Sequence, residues 1–149
     1  MTVVYIDTSD APAPSGHYSQ ATFYDGELHI SGMLPVGSGQ AGDDGTVSAS
    51  FDEQAVQALQ NMLAVLAKCG GSPRNVAKVT AYVVGLSNWK RFDRAFAAAF
   101  GQIRPARVVV PVPELHYGYA VEVEALAVGL DVPHASVCRP LAEISAKDV

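Results

Sequence analysis

Residues 104–128 read RPARVVVPVPELHYGYAVEVEALAV, and this stretch decides the fold of the chain. Two almost wholly apolar runs, residues 106–113 and 119–128, flank a turn-like segment at residues 114–118. The run VVVPV is apolar at consecutive positions, which is typical of a strand that is covered on both faces. We therefore expect two buried strands that are joined by a turn.

Charged residues interrupt both apolar runs, with Arg107 in the first and Glu122 and Glu124 in the second. An unpaired buried charge costs several kcal/mol, so the guanidinium needs carboxylate or carbonyl partners or an anionic ligand. Arginine also clamps a carboxylate through two parallel hydrogen bonds. The stretch alone leaves two interpretations open: a structural Arg–Glu pair between neighbouring strands, or a site for a carboxylate ligand. The two glutamates are two positions apart and therefore point to one face of their strand.

The composition of the chain fits one globular domain, with 149 residues of which 49% are hydrophobic and 17% charged. Its net charge of −5 and its lack of a Lys/Arg cluster argue against a nucleic-acid partner. No apolar stretch approaches the ~20 residues of a membrane span, and the N-terminus lacks the pattern of a signal peptide. We expect a soluble, cytoplasmic protein without a nucleic-acid or membrane partner.

Residue types that bind transition metals are scattered along the sequence. The two cysteines are far apart, and the histidines do not occur at metal-ligand spacing. These residues are Cys69, Cys138, His17, His29, His116 and His134. We therefore expect no metal site.

Alternating or β-branched segments predict six strands in all. Besides the two strands described above, four segments have this pattern: residues 3–7, 18–24, 28–34 and 75–84. Asp25-Gly26 lies between the second and third strands and is a strong signal for a hairpin turn. The glycine-rich residues 35–46 are expected to form a loop.

Two segments predict amphipathic helices. Ser50 and Glu53 form a capping box, and apolar residues then recur at helical spacing until Gly70-Gly71, giving a helix of about five turns. The second helix is expected to begin at a cap on Ser87 and to end at Gly101. The predicted core positions are Val56, Leu59, Met62, Leu63 and Leu66 in the first helix, and Trp89, Phe92, Phe96 and Phe100 in the second.

The resulting order is β-β-β-α-β-α-β-β, an α+β arrangement. Two helices cover only one face of such a mixed sheet. The final strands are nevertheless apolar on both faces, so we expect the other face to pack against another subunit. Residues 1–129 are predicted to form a single domain, and residues 130–149, which lack strong periodicity, a C-terminal tail.

Four motifs carry a resemblance to a known family. GHYSQA at residues 16–21 is similar to G-P-Y-S-Q-A, and ISGMLP at residues 30–35 is similar to S-G-Q-x-P. PARVVVPV and VEVEALAV, at residues 105–112 and 121–128, complete the set. With these motifs in order over residues 11–129, the chain resembles the Rid (YjgF-type, L-PSP endoribonuclease) family of enamine/imine deaminases.

The resemblance implies a fold, an assembly and a reaction. The fold is like that of chorismate mutase of the bacillus type, and the assembly is a homotrimer with pockets between subunits. The implied reaction is hydrolysis of reactive 2-imino or enamine acids, such as 2-aminoacrylate, to 2-keto acids and ammonia. The family requires neither metal nor coenzyme.

The family's pocket also implies roles for individual residues. Arg107 matches the arginine that grips the substrate carboxylate, Glu122 the acidic residue that orients or activates water, and Tyr18 the pocket tyrosine. Ser31-Gly32 matches a strand segment that contacts substrate. The resemblance, and not the strand period, selects Glu122 over Glu124.

Some positions depart from the family pattern, and most of these are expected to contact substrate. Met33 replaces a glutamine, Val109 a frequent cysteine, and Asp93 an occasional asparagine. Leu115-His116-Tyr117 replaces the more usual Leu-Pro turn before the last strand, and His17 replaces a proline. The departures suggest a less polar pocket that favours bulkier apolar or aromatic imines, and neutral drift is the alternative.

Three further functional interpretations remain open. The first is a pathway-specific enzyme that acts on a larger, aminomuconate-like enamine acid. A non-catalytic trimer would bind a small carboxylate without releasing ammonia. Endoribonuclease activity is disfavoured because the chain is acidic and has no basic patch.

Overall fold

The computed structural model describes residues 2–37 and 49–131, together with the backbone of a short strand at residues 138–139. In chain order the elements are β1 (Val4–Ile6), β2 (Ala21–Tyr24), β3 (Glu27–Met33), α1 (Phe51–Lys68), β4 (Val76–Val84), α2 (Trp89–Phe100), β5 (Ala106–Val112), β6 (Val121–Val128) and β7 (Cys138–Arg139). Short 3₁₀ turns precede β4, α2 and β6 at Pro73–Asn75, Leu86–Asn88 and His116–Gly118. The predicted order of the first eight elements is confirmed. Most of the predicted loop at residues 35–46 and most of the predicted tail lie outside the described residues.

The strands form one mixed sheet in the order β5-β4-β6-β3-β2-β1-β7. β4 and β5 are parallel, with α2 as the crossover between them, and the other neighbouring strands are antiparallel. α1 and α2 pack together on one face of the sheet, which confirms the α+β architecture. None of the described helices is long and apolar enough to cross a membrane.

α1 begins where the capping box predicts. The Ser50 backbone N–H donates to the Glu53 carboxylate at 2.7 Å, and the Ser50 hydroxyl accepts from the Glu53 N–H at 3.4 Å. Asp52 in the first turn accepts from Arg91 of α2 at 3.0 Å, which ties the two helices together. The predicted core positions Leu59, Met62 and Leu66 are buried, whereas Val56 is 44% exposed.

α2 begins differently from the prediction. Ser87 lies within the 3₁₀ turn Leu86–Asn88 and does not cap the helix, because Asn88 is the residue that precedes its first turn. The Asn88 side chain donates to the Val84 carbonyl at 2.9 Å and accepts from Arg91 at 3.2 Å, so it fixes the end of β4 to the start of α2.

The aromatic stripe of α2 is only partly a core feature. Phe92, Phe96 and Phe100 are buried, and their rings contact one another in sequence. Trp89 is 43% exposed, so the prediction of a core position is wrong there. The reason is its place in the first turn of the helix, at the edge of the sheet next to β5.

The strand predicted at residues 18–24 begins later, at Ala21. The cause is Gln20, whose buried side chain donates to the carbonyls of Thr8, Ala11 and Pro12 at 2.9, 3.3 and 2.7 Å. These bonds hold the N-terminal loop against the sheet, and Tyr18 lies in that loop. The hairpin turn is confirmed, since Asp25-Gly26 has positive φ at both residues, 49° and 84°.

None of the described helices covers the other face of the sheet. We call it the open face; Thr80, Tyr82, Val108, Glu122 and Glu124 lie on it. β5 forms one edge of the sheet, and Val108 is 43% exposed. Among the described residues, nothing buries β5 on both faces as expected, and packing of the open face against another subunit stays a prediction.

Candidate active site

One cleft brings together most of the residues that the sequence singled out. It has a volume of about 580 Å³ and lies between the N-terminal loop, the end of β3 and the turn before β6. Seven of the ten predicted site residues line it: Tyr18, Ser31, Gly32, Met33, His116, Tyr117 and Glu122. The rest of its lining comes from the N-terminal loop and the chain after β3: Pro12, Ala13, Pro14, Ser15, Gly16, Gln20, Leu34 and Val36.

A β-bulge shapes the floor of the cleft. Ile30 pairs with Ala125 and Met33 with Val123, so β3 has one more residue than β6 between these pairs. Ser31 lies in the bulge, where its hydroxyl donates to the Ser19 carbonyl at 2.7 Å. Bulges often re-aim side chains beside active sites, and this one turns Ser31 and Gly32 toward the cleft.

Gly32 leaves the space that the Glu122 carboxylate occupies. A Cβ atom at position 32 would overlap with Oε1 of Glu122. Any side chain at this position would therefore have to displace the carboxylate. The glycine of the Ser31-Gly32 motif thus positions Glu122 by its lack of a side chain.

The environment of Glu122 opposes ionisation of its carboxyl group. Burial is the largest effect and raises the pKa of Glu122; a charge on His116 lowers it, and the Glu124 carboxylate raises it further. The net pKa lies above the ordinary value. A carboxylate whose pKa is moved toward neutrality, inside a cleft, suits a general base that takes a proton from water.

The second glutamate of β6 has a different contact. Glu124 shares the open face with Glu122, as the strand period predicts, and pairs in register with Thr80. The hydroxyl of Tyr82 donates to Glu124 Oε1 at 3.5 Å, and the Glu124 charge is the main cause that raises the pKa of Tyr82. Glu124 therefore belongs to a Tyr–Glu contact on the open face, whereas Glu122 lines the cleft.

The turn His116–Gly118 closes one side of the cleft in an unusual conformation. Tyr117 has φ 61° and ψ 15°, in the left-handed region that bulky residues rarely adopt. Tyr119 is buried, its N–H donates to the His116 carbonyl at 3.2 Å, and its ring lies edge-on to Tyr117 at 6.5 Å. These contacts fix the turn so that His116 and Tyr117 face the cleft.

The other three predicted residues lie elsewhere. Arg107, Asp93 and Val109 form a group at the edge of the sheet, on the face that carries the helices; we call it the arginine cluster. Arg107 Nη1 contacts Asp93 Oδ1 of α2 at 2.8 Å, and its guanidinium carbon lies 4.7 Å from the Phe96 ring centroid. The structural partner of Arg107 is therefore an aspartate of α2 and not a glutamate of a neighbouring strand.

Strand order separates the arginine cluster from the cleft. β4 lies between β5, which carries Arg107, and β6, which carries Glu122. Arg107 pairs in register with the buried Val79, whereas Glu122 pairs with Tyr82 of the open face. Within one chain the two side chains consequently point to opposite faces of the sheet.

Sequence reasoning missed Gln20 as a residue that shapes the site. Its buried amide holds the loop that forms one wall of the cleft, and it also lines the cleft itself. The signal was present, because Gln20 belongs to the motif GHYSQA at residues 16–21. A buried amide with three carbonyl partners cannot be recognised from the spacing of residues along the chain.

Comparison with known proteins places the chain in a family. The family model described as "Endoribonuclease L-PSP" matches residues 8–129. The chain belongs to the endoribonuclease L-PSP family. This result agrees with the Rid resemblance of the four motifs.

Named members of the L-PSP family are similar over most of their length. A RutC family protein of Aquifex aeolicus is 35% identical over 83% of this chain and 97% of its own. Human 2-iminobutanoate/2-iminopropanoate deaminase is 34% identical over 83% of this chain and 88% of its own. Among solved structures, E. coli TdcF with bound serine is 27% identical, with a TM-score of 0.74 over 83% of this chain and 97% of its own.

Proposed function

We propose that this L-PSP family member hydrolyses small 2-imino and enamine carboxylic acids to 2-keto acids and ammonia. The observation that carries the proposal is Glu122, a partly buried carboxylate with a raised pKa that lines a cleft beside Ser31 and Gly32. The similarity to a human protein named 2-iminobutanoate/2-iminopropanoate deaminase supports the same reaction. TdcF was solved with serine, which supports a site that accepts a small carboxylate.

The complete site requires two copies of the chain. Arg107 and Glu122 face opposite sides of the sheet, with β4 between their strands, so one small substrate cannot contact both within one chain. An arginine cluster from one copy that faces the cleft of another copy would supply the missing cation. A homotrimer with its sites between subunits, as the resemblance implies, meets this requirement and also covers the open face.

Each group then has a defined task in the reaction. Arg107 holds the substrate carboxylate and orients the imine carbon toward the cleft. Glu122 takes a proton from the attacking water as the new C–O bond forms. The amino group of the resulting carbinolamine then gains a proton and leaves as ammonia with the electron pair of the C–N bond. The hydroxyl group loses its proton as the carbonyl of the keto acid forms. Tyr18 and Ser31 contact the substrate from the cleft wall.

The test is the release of ammonia and keto acid from an imine that an amino-acid oxidase makes in situ. The wild-type chain should accelerate both above the uncatalysed rate. Arg107→Ala should lose this activity, whereas Arg104→Ala, which removes an exposed arginine just before β5, should keep it. Saturable binding of the imine without ammonia release would instead support a non-catalytic carboxylate binder.

Cleavage of RNA is the other activity that the family's printed name suggests. The formal net charge of −5 disfavours it, because RNA binding draws on positive charge. Incubation with a single-stranded RNA, under the same conditions as the imine assay, distinguishes the two activities. We expect intact RNA and released ammonia.

A further inference from the structure

Among the described residues, the side chains of the cleft that change protonation state are Tyr18, His116, Tyr117 and Glu122. Histidine is the one residue type among them whose unperturbed charge change falls between about pH 5 and 8. His116 reaches the cleft from the turn before β6, and Glu122 reaches it from β6 itself. We propose that His116 is a second catalytic residue, which donates a proton to the departing nitrogen. This inference rests on the proposed deaminase function.

The backbone of the turn supports a defined position for the imidazole ring. The residue that follows His116 is held in the left-handed region, which is unfavourable for a bulky side chain and persists where the surrounding structure enforces it. The buried Tyr119 provides that enforcement through its N–H bond to the His116 carbonyl. The ring of Tyr117 lies 6.2 Å from the imidazole, so the turn presents His116 beside an aromatic wall.

Electrostatics links His116 to the proposed base. Burial raises the pKa of Glu122, and the charge of His116 lowers it. Both groups line the cleft, and they are suited to opposite tasks. A carboxylate accepts a proton, and an imidazolium donates one.

The proposed steps balance in atoms and charge. Water adds to the carbon of the protonated imine, a C–O bond forms, and Glu122 takes the proton that the water loses. The imidazolium of His116 then protonates the amino group of the carbinolamine. The C–N bond breaks, its electron pair leaves with ammonia, and the hydroxyl proton returns to His116 as the carbonyl forms. The proton on Glu122 passes to solvent or to ammonia, so that the net products are keto acid and ammonium.

The test compares the pH dependence of kcat for wild type and His116→Gln. The probe is the imine that an amino-acid oxidase makes from alanine, with the oxidase in excess at every pH and the uncatalysed rate subtracted. In the wild type we expect kcat to fall as pH rises, because a general acid acts only in its protonated form. His116→Gln should lower kcat by 10²-fold or more, as for other general acids. The remaining kcat should no longer fall as pH rises, and KM should change little.

Two controls separate catalysis from structure. His29→Gln removes an exposed histidine of β3 whose Nε2 lies 3.2 Å from the Glu27 carboxylate, and it should leave the profile unchanged. Added imidazole should restore part of the activity of His116→Ala, and thermal melting of each variant reports its fold.

Each outcome has one meaning. The role of His116 is overturned if the variant keeps kcat within about twofold of wild type and kcat still falls as pH rises. A change confined to KM overturns it as well. In both cases the deaminase proposal stands. Loss of activity without rescue by imidazole and with a lower melting temperature also overturns it. If the wild type itself releases no ammonia, the proposed function fails and this inference fails with it.

Discussion

The cleft and the arginine cluster give their charged residues opposite electrostatic environments. At Arg107 the guanidinium has an aspartate at 2.8 Å and an aromatic ring beneath it, so the charge is stabilised before any ligand arrives. At Glu122, burial is the dominant effect, and it raises the pKa of the carboxyl group. The arginine cluster therefore stabilises a permanent positive charge, whereas the cleft raises the proton affinity of a carboxylate.

This difference suggests how binding and chemistry are divided. A group that must hold a carboxylate benefits from a fixed, permanently charged fork. A group that must take up a proton and release it benefits from a pKa moved toward neutrality. Because the sheet keeps the two groups on opposite faces, they meet only if copies of the chain assemble.

The largest effect is expected from removal of the charge at Glu122. Glu122→Gln keeps the shape of the side chain but cannot accept the proton from water, so kcat should fall by about 10²–10⁴-fold. Substrate binding should persist, since Arg107 is intact. The matched control is Glu124→Gln, which alters the glutamate that contacts Tyr82, and it should retain most of the activity. Full turnover by Glu122→Gln would dismiss this residue as the base.

Mixed assemblies test the separation of the two regions directly. Arg107→Ala and Glu122→Gln should each be inactive, but an oligomer that contains both has some sites with Glu122 from the first variant and Arg107 from the second. In a trimer with head-to-tail interfaces and random mixing, about one quarter of the sites are intact. Joint refolding or co-expression should therefore recover about that fraction of wild-type kcat per site.

The control mixes each variant with itself. Activity that stays at the level of the single variants in the joint sample, despite light scattering that proves mixed oligomers, would place the whole site within one chain. A monomer at micromolar concentration would remove the shared site altogether.

Local sequence signals were sufficient to predict much of the fold. The capping box at Ser50 and the turn Asp25-Gly26 are decided by neighbouring residues, and both occur as predicted. The alternation of β6 placed Glu122 and Glu124 on one face. In each case the physical cause lies within a few residues of the position concerned.

Long-range contacts explain the features that sequence alone did not provide. Tyr18 leaves the predicted strand because Gln20 binds carbonyls 8 to 12 residues away. Arg107 finds Asp93 because the crossover through α2 packs that helix over β5. The bulge that turns Ser31 into the cleft depends on register with β6. No periodicity or motif in the sequence marks these long-range contacts.

Asp93→Asn tests the arginine cluster, and we expect a moderate effect on KM. The aspartate pairs with Arg107 at 2.8 Å, and in the proposed site it would compete with the carboxylate of a substrate. The pair is partly exposed, with 20% of the Arg107 and 48% of the Asp93 side chain accessible. Such pairs contribute about 0.2–1 kcal/mol, so removal of the competing charge should lower KM by up to about fivefold.

A control for this substitution is available between the helices. Asp52→Asn breaks the ion pair between Asp52 of α1 and Arg91 of α2. Neither residue lines the cleft or belongs to the arginine cluster, so KM should not change. A higher KM in Asp93→Asn would mean that Asp93 orients the guanidinium for its ligand and does not compete with it.

The smallest expected effect is on stability, and it reports the environment of Glu122 without any substrate. A folded pKa above the unfolded value means that the folded chain holds its proton more tightly, so stability falls as pH rises through the folded pKa of Glu122. Glutamine resembles the protonated acid and avoids this loss. Glu122→Gln should therefore unfold at a higher denaturant concentration than wild type at neutral pH. Below the ordinary glutamate pKa of about 4.3, both folded and unfolded wild type are protonated, and the difference should vanish. Chemical unfolding of both proteins across this pH range measures the effect, and a difference that is constant with pH would show that the carboxyl group is not desolvated in the folded protein.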